Sequence, residues 1–265
     1  MSGDGWLRIG TGTGEHVALA VDFESSGRPE AGFGDLAKLL PDVELWLTVS
    51  PPGQPGRALS AEDYFTWWAD WPMNSAPIAS VFGFCAGSVF APELAARIER
   101  VQGRCPAVVL FDPERPGLPN LHRDFDRAVA MASLLTAEEA DELRAGAQRV
   151  REERWDDFTA ASAELVELYE QAGSTAFARS GIDKDLAGEL LGMFRSYVSY
   201  LVAGYELTSD IAWANAVAVT STGSRSGARH AARELSFPVP HDDLLRYPGV
   251  AGAVREILGA RRVAR

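Results

Sequence analysis

Residues 78–87 read IASVFGFCAG. An almost uninterrupted apolar run enters a glycine, passes a cysteine and meets a second glycine, and a helical pattern starts at once. A run like Ile78–Phe84 suits a strand buried on both faces, which is the environment of a strand inside a parallel sheet. Its neighbours repeat the theme. Trp6–Ile9 and Val17–Phe23 read as strands, with Gly10, Gly12 and Gly14 turning between them. Val43–Val49 is a third strand, closed by Pro51, Pro52 and Gly53. Ser60–Trp71 reads as a helix capped at Ser60, with Phe65, Trp68 and Trp71 on one side. Val89, Phe90, Leu94, Ile98 and Val101 keep the spacing of one apolar helix face, and Ala107–Phe111 is the next strand, ending in Asp112-Pro113. Strand and helix alternate, so the expected class is α/β, with a mostly parallel central sheet and crossover helices.

Residues 117–208 break the alternation and read as helical throughout. Thr136 and Glu139 form a capping box. Leu186, Leu190, Phe194, Val198 and Leu201 make an amphipathic stripe. Strand signals return at Ala216–Thr220 and Leu235–Val239, and a last helix is expected over Asp243–Gly259. The expected organisation is therefore a core of residues 1–116 and 209–265, with 117–208 as a helical lid inserted between two of its strands.

Composition narrows the function classes. The net charge of −12 argues against a general nucleic-acid binder. Two cysteines, Cys85 and Cys105, are too few for a disulfide scaffold or a Cys-rich zinc module, and no metal or cofactor is expected. No apolar run is long enough for a membrane span, and Met1–Gly14 lacks the layout of a signal peptide. A cytoplasmic enzyme or binding domain is the expectation.

Strand, Gly83-x-Cys85-x-Gly87, helix is the layout of a nucleophile elbow. Small residues permit a strand-to-helix turn tight enough to push the central side chain into the open. The helix beginning there aims free N–H groups at the same point, which favours a thiolate and an oxyanion. The thiol needs a base, and the base an orienting acid. There are four histidines, His16, His122, His230 and His241. Reactive groups of an open α/β sheet collect at the carboxyl ends of its strands. His241, directly after SFPVP, meets that condition, and so does Asp112. The chain order Cys85, Asp112, His241 is the nucleophile, acid, base order of α/β-hydrolases. A buried structural cysteine, an Asp-Pro turn and a surface histidine are the bland alternatives, and three agreeing placements weigh against them.

GFCAGSVFAPELAARIERVQG followed by AVVLFDPERPG resembles the core of thioesterase domains of nonribosomal peptide and polyketide assembly lines. WLRIGTGTGEHVALAVDF resembles that family's opening strands. The resemblance implies an acid after the strand that follows the elbow helix, then a helical lid, then a histidine before the last helix. Cys85 stands where most members have serine, and Ser88 where they have glycine. The oxyanion turn after the second strand is here Asp22-Phe23-Glu24. By position the oxyanion donors would be the backbone N–H groups of Ala86 and Glu24.

The family's substrate is a thioester on the phosphopantetheine arm of an acyl or peptidyl carrier protein, so a carrier protein is the implied partner. Residues 225–265 hold eight arginines against four acids, and that side is where an acidic carrier protein would be steered. Two other readings stay open. Dienelactone hydrolases share the G-x-C-x-G elbow, but their acid lies after a later strand, where AVAVTSTGS offers no nearby acid. A non-catalytic binding protein of the same fold would explain the missing serine.

Overall fold

The computed structural model describes residues 4–12, 16–23, 29–53, 57–72, 76–208, 213–224 and 228–263. Seven strands form one sheet: β1 (Trp6–Arg8), β2 (His16–Val21), β3 (Val43–Thr48), β4 (Ile78–Phe84), β5 (Ala107–Phe111), β6 (Val217–Thr220) and β7 (Arg233–Ser236), in the order β1-β3-β2-β4-β5-β6-β7. Only the β1–β3 pair is antiparallel. The apolar runs of β2, β4 and β5 therefore occupy the middle, where both faces are covered. Leu19, Val81, Phe82, Val109 and Leu110 are fully buried.

One face is packed by α1 (Phe33–Leu39) and by α8 (Pro248–Val263). Phe33 is its hub: its ring lies 5.7 Å from Phe111 and 6.2 Å from Phe82. Val250 and Val254 of α8 join the same cluster. On α2 (Ala61–Trp67) and just beyond it, Tyr64, Phe65 and Trp68 gather around Phe90, with Trp68 and Phe90 at 5.5 Å. Phe90 leads into α3 (Ala91–Gln102).

The chain divides into two compact units. One comprises Met1–Pro51, Ala61–Arg115 and Leu207–Arg265, and contains the sheet. The other comprises Pro52–Ser60 and Pro116–Glu206. The second unit holds α4 (Leu118–Met131), α5 (Ala137–Glu153), α6 (Phe158–Arg179) and α7 (Lys184–Glu206). Thr136 caps α5, with Oγ1 accepting from the Glu139 N–H and Glu139 answering to the Thr136 N–H. Phe194 meets Phe125 at 5.9 Å and Tyr169 at 4.5 Å inside this unit. The segment 52–60 belongs here because the Leu59 N–H donates to Ser199 Oγ at 2.7 Å. Among the described residues no helix is long and apolar enough to cross a membrane.

Several expected boundaries are corrected. α1 was not foreseen. The helix at 60–71 stops at Trp67, and Val101 on α3 is exposed rather than part of its buried face. The stripe on α7 is buried at Phe194, Val198 and Leu201, while Leu186 and Leu190 stand exposed. The last strand is Arg233–Ser236, not Leu235–Val239: Pro238 and Pro240 have no N–H to give a ladder. The final helix opens at Pro248, a residue suited to a first helical turn.

Candidate active site

β4 ends at Phe84, and Cys85 takes φ 50°, in the left-handed region that non-glycine residues rarely occupy. That turn brings the chain back against the strand it has just left. A Cβ on Gly83 would lie 2.6 Å from Ser88 Cα and 3.0 Å from Gly87 O, so glycine is required there. Two bonds hold the turn closed. Ser88 Oγ donates to Gly83 O at 3.2 Å, and Trp213 Nε1 donates to Ser88 O at 3.1 Å. The serine at 88, where the thioesterase domains that the sequence resembles have glycine, thus has a structural task. Cys85–Val89 is a 3₁₀ turn, and the α-helix begins only at Ala91; the expected helix start at the elbow is corrected accordingly.

Asp112 follows β5 and also has positive φ, 42°. Its N–H donates to Val219 O at 2.9 Å. Oδ1 accepts from the Ser221 N–H at 2.8 Å, and Oδ2 lies 2.7 Å from His241 Nδ1. Burial pushes the Asp112 carboxyl up, but the bonds from His241 and Ser221 outweigh it and hold the group below the usual carboxylate range. The same bond from Asp112 raises His241 above the usual histidine value, against burial, which works the other way.

His241 does not sit directly at a strand end. It opens a 3₁₀ turn, His241–Arg246, after the non-ladder residues 237–240. Two backbone bonds nevertheless keep that segment beside β6: Phe237 N–H to Thr220 O and Thr222 N–H to Val239 O, both 2.8 Å. Ala31 N–H donates to Asp242 O at 2.8 Å and fixes the turn from the other side. The imidazole stacks on Phe84, with ring centroids 5.0 Å apart and planes 13° apart. Asp112 and His241 are thus in direct contact, and His241 packs on the residue preceding Cys85.

Of the other histidines, His16 begins β2, His122 is buried in α4, and His230 is exposed. Of the expected oxyanion donors, Ala86 lies in the elbow turn and Glu24 falls outside the described residues. Of the described residues before it, Asp22 donates its N–H to Thr48 Oγ1, and its carbonyl accepts from that hydroxyl.

Sequence reasoning missed Glu114. Its N–H donates to Cys85 O at 3.2 Å, and its Oε2 accepts from Cys85 Sγ at 3.3 Å. Beside it, the Arg115 guanidinium lies over the Trp213 ring, 5.5 Å from its centroid. The only advance signal was the position of an acid two residues beyond Asp112, in Asp-Pro-Glu.

The sheet order, the elbow and the Asp112–His241 pair at its rim define an α/β-hydrolase fold. Comparison with solved structures agrees. A four-domain nonribosomal peptide synthetase bound to AMP and glycine superposes with TM-score 0.56 and 17% identity, over 97% of this chain. The chain spans 20% of that protein's length. The NocB thioesterase domain, in covalent complex with a fluorophosphonate nocardicin G analogue, gives TM-score 0.51 and 18% identity over 97% of this chain and 100% of that one. The enol-lactonase from Burkholderia xenovorans LB400 gives 0.52 and 15%, over 96% and 95% of the two chains. At such identities the likeness is one of fold. No protein-family model and no curated protein matches the sequence.

Proposed function

We propose that the chain is an acyl-transferring thioesterase that receives its substrate from an acyl or peptidyl carrier protein. The observation that carries this reading is an elbow thiol at φ 50° on the strand end where a histidine, bonded to a buried aspartate at 2.7 Å, is stacked on the preceding Phe84. Cys85 attacks the thioester carbonyl, its proton passes to His241, and Asp112 fixes the imidazole through Nδ1, which leaves Nε2 for proton transfer. The Ala86 N–H, in the elbow turn, is the proposed oxyanion donor. The acyl-enzyme is again a thioester, so the activation of the acyl group survives for the second step. A serine would leave an ester, a poorer acyl donor. Water, an amine, a hydroxyl or an internal group of the acyl substrate itself then takes the acyl group.

The deciding experiment is intact-mass analysis after mixing the protein with an acylated carrier protein. The acyl mass should appear on Cys85 and be lost in Cys85→Ala. Turnover of small esters or lactones with no reaction of the carrier thioester would identify a free-standing hydrolase instead. No acylation from either substrate would leave a binding protein.

A further inference from the structure

Two acids leave β5 within one short turn, and they go to different partners. Asp112 reaches His241, and Glu114 reaches Cys85. The second contact does not depend on a long side chain finding its own way. Positive φ at Asp112 reverses the chain, Pro113 stiffens it, and the Glu114 N–H docks on the carbonyl of Cys85 itself. The carboxylate is thereby delivered to the thiol from a fixed backbone position.

We propose that Glu114 is a positioning residue that holds Cys85 as a neutral thiol in the resting protein. The inference rests on the reading of Cys85 as nucleophile. An ionised Glu114 can only accept, so in the 3.3 Å contact the sulfur is the donor and carries the proton. A thiolate at that distance from a carboxylate would be a like-charge pair, which strongly disfavours ionisation. The surroundings include other charges. His241 stacks on Phe84 and bears the Asp112 carboxylate, while Glu30 and Asp242 add negative charge near the imidazole. Arg115 follows Glu114 but is directed over Trp213, whose ring also lies 6.4 Å from that of His230. The 3₁₀ turn of Cys85 itself, CAGSV, carries no other ionisable side chain. Glu114 is hydrogen-bonded to the sulfur directly.

The consequence is a nucleophile that is quiet until substrate enters. A neutral thiol is a weak nucleophile and resists oxidation. An acyl group seated at the elbow displaces the carboxylate from sulfur, and the thiol proton passes from Cys85 to His241. The new S–C(acyl) bond forms, the C–S bond to the carrier arm breaks, and the departing arm thiolate takes the proton from His241. Glu114 begins and ends as a carboxylate.

The test reads the thiol without any substrate, so its outcome is independent of whether carrier thioesters are turned over. The background is Cys105→Ser, because Cys105 is exposed and would react too. Iodoacetamide alkylation of Cys85 is followed by intact mass across pH. Glu114→Gln should react about tenfold faster at neutral pH and shift its midpoint to lower pH. Glu114→Asp, which keeps the charge, should stay closer to the parent. Equal or slower alkylation of Glu114→Gln overturns the proposal. A second readout needs no Glu114 variant: in the Cys105→Ser protein the infrared S–H stretching band at neutral pH can come only from Cys85. Its presence supports the proposal, and its absence overturns it.

Discussion

Asp112 Oδ2 and His241 Nδ1 are 2.7 Å apart although 129 residues separate them in the chain. The aspartate is buried, whereas the side chain of His241 keeps about a third of its surface exposed. Each group shifts the other toward its charged form. On the proposed reading the base must be neutral to take the thiol proton, so the raised His241 should set the acid limb of kcat/KM above the ordinary histidine value. Asp112→Asn removes the largest cause of that rise and leaves the burial that opposes it. The acid limb should therefore move to lower pH, as measured by a pH–rate profile of the residual activity. Stability has the complementary sign. A depressed aspartate stabilises above its unfolded value, and a raised histidine stabilises below its own. The Tm difference between the two proteins should be largest from about pH 4 to about pH 6.5. It should shrink as pH falls through the folded Asp112 value or rises through the folded His241 value. An acid limb that ignores Asp112→Asn would remove His241 from the role of base.

Cys85 and His241 are proposed to act as a unit. Each alanine substitution alone should abolish nearly all turnover of a carrier thioester, about a thousandfold or more. The double substitution should be little worse than either single one. Multiplying losses would mean two separate tasks. Cys105→Ser should leave turnover unchanged.

The elbow should be intolerant of small changes that leave Cys85 in place. Gly83→Ala puts a methyl group 2.6 Å from the backbone Cα of Ser88, and backbone cannot swing aside as a side chain can. A loss of about 2–4 kcal/mol in denaturant unfolding is expected. Ser88→Ala leaves the buried Gly83 carbonyl without the hydroxyl it accepts from, and should cost about 1 kcal/mol. If Ser88→Gly were as stable as the parent, the hydroxyl tie would be dispensable.

What was legible in the sequence was what local periodicity and residue type encode. Ile78–Phe84 announced a central strand because strands covered on both faces carry no polar alternation. The Asp112–His241 contact was readable only in outline: Asp112 does follow β5 directly, but His241 lies beyond β7, in the 3₁₀ turn that opens after residues 237–240. α1 was not readable: FGDLAKL is too short to display a period, and its cap at Gly32 comes from Asp35 rather than a capping side chain. β7 was misplaced because an edge strand reading RELS, mostly exposed, shows no apolar alternation. The Glu114–Cys85 contact arises from positive φ at Asp112, which nothing in the local sequence signals.

The charge carried by residues 225–265 leads to the last prediction. Of the eight arginines there, Arg225 and Arg265 lie outside the described residues, as do the side chains of Arg261 and Arg262. Arg246 and Arg255 are engaged with the fold: Arg246 pairs with Asp243 and donates to Pro29 O, and Arg255 donates to Leu39 O. Their charges are tied to structure, so reversing them would confuse docking with stability. Arg229 and Arg233 are different. Both are exposed, Arg233 opens the edge strand β7, and Arg229 has only the neighbouring His230 as a hydrogen-bonded side-chain partner among the described residues. They are the charges to test. An acidic carrier protein approaching this edge would be steered by them, and rim charges act mainly on association rate and salt dependence. Arg229→Glu with Arg233→Glu should raise KM for a carrier-bound thioester severalfold, with kcat and the turnover of a small synthetic thioester unchanged. The parent KM should also rise with added salt, since exposed charges are screened over about 10 Å at about 0.1 M. The double variant should have lost most of that salt dependence. A carrier-bound KM indifferent to both the reversal and the salt would move the docking surface away from β7.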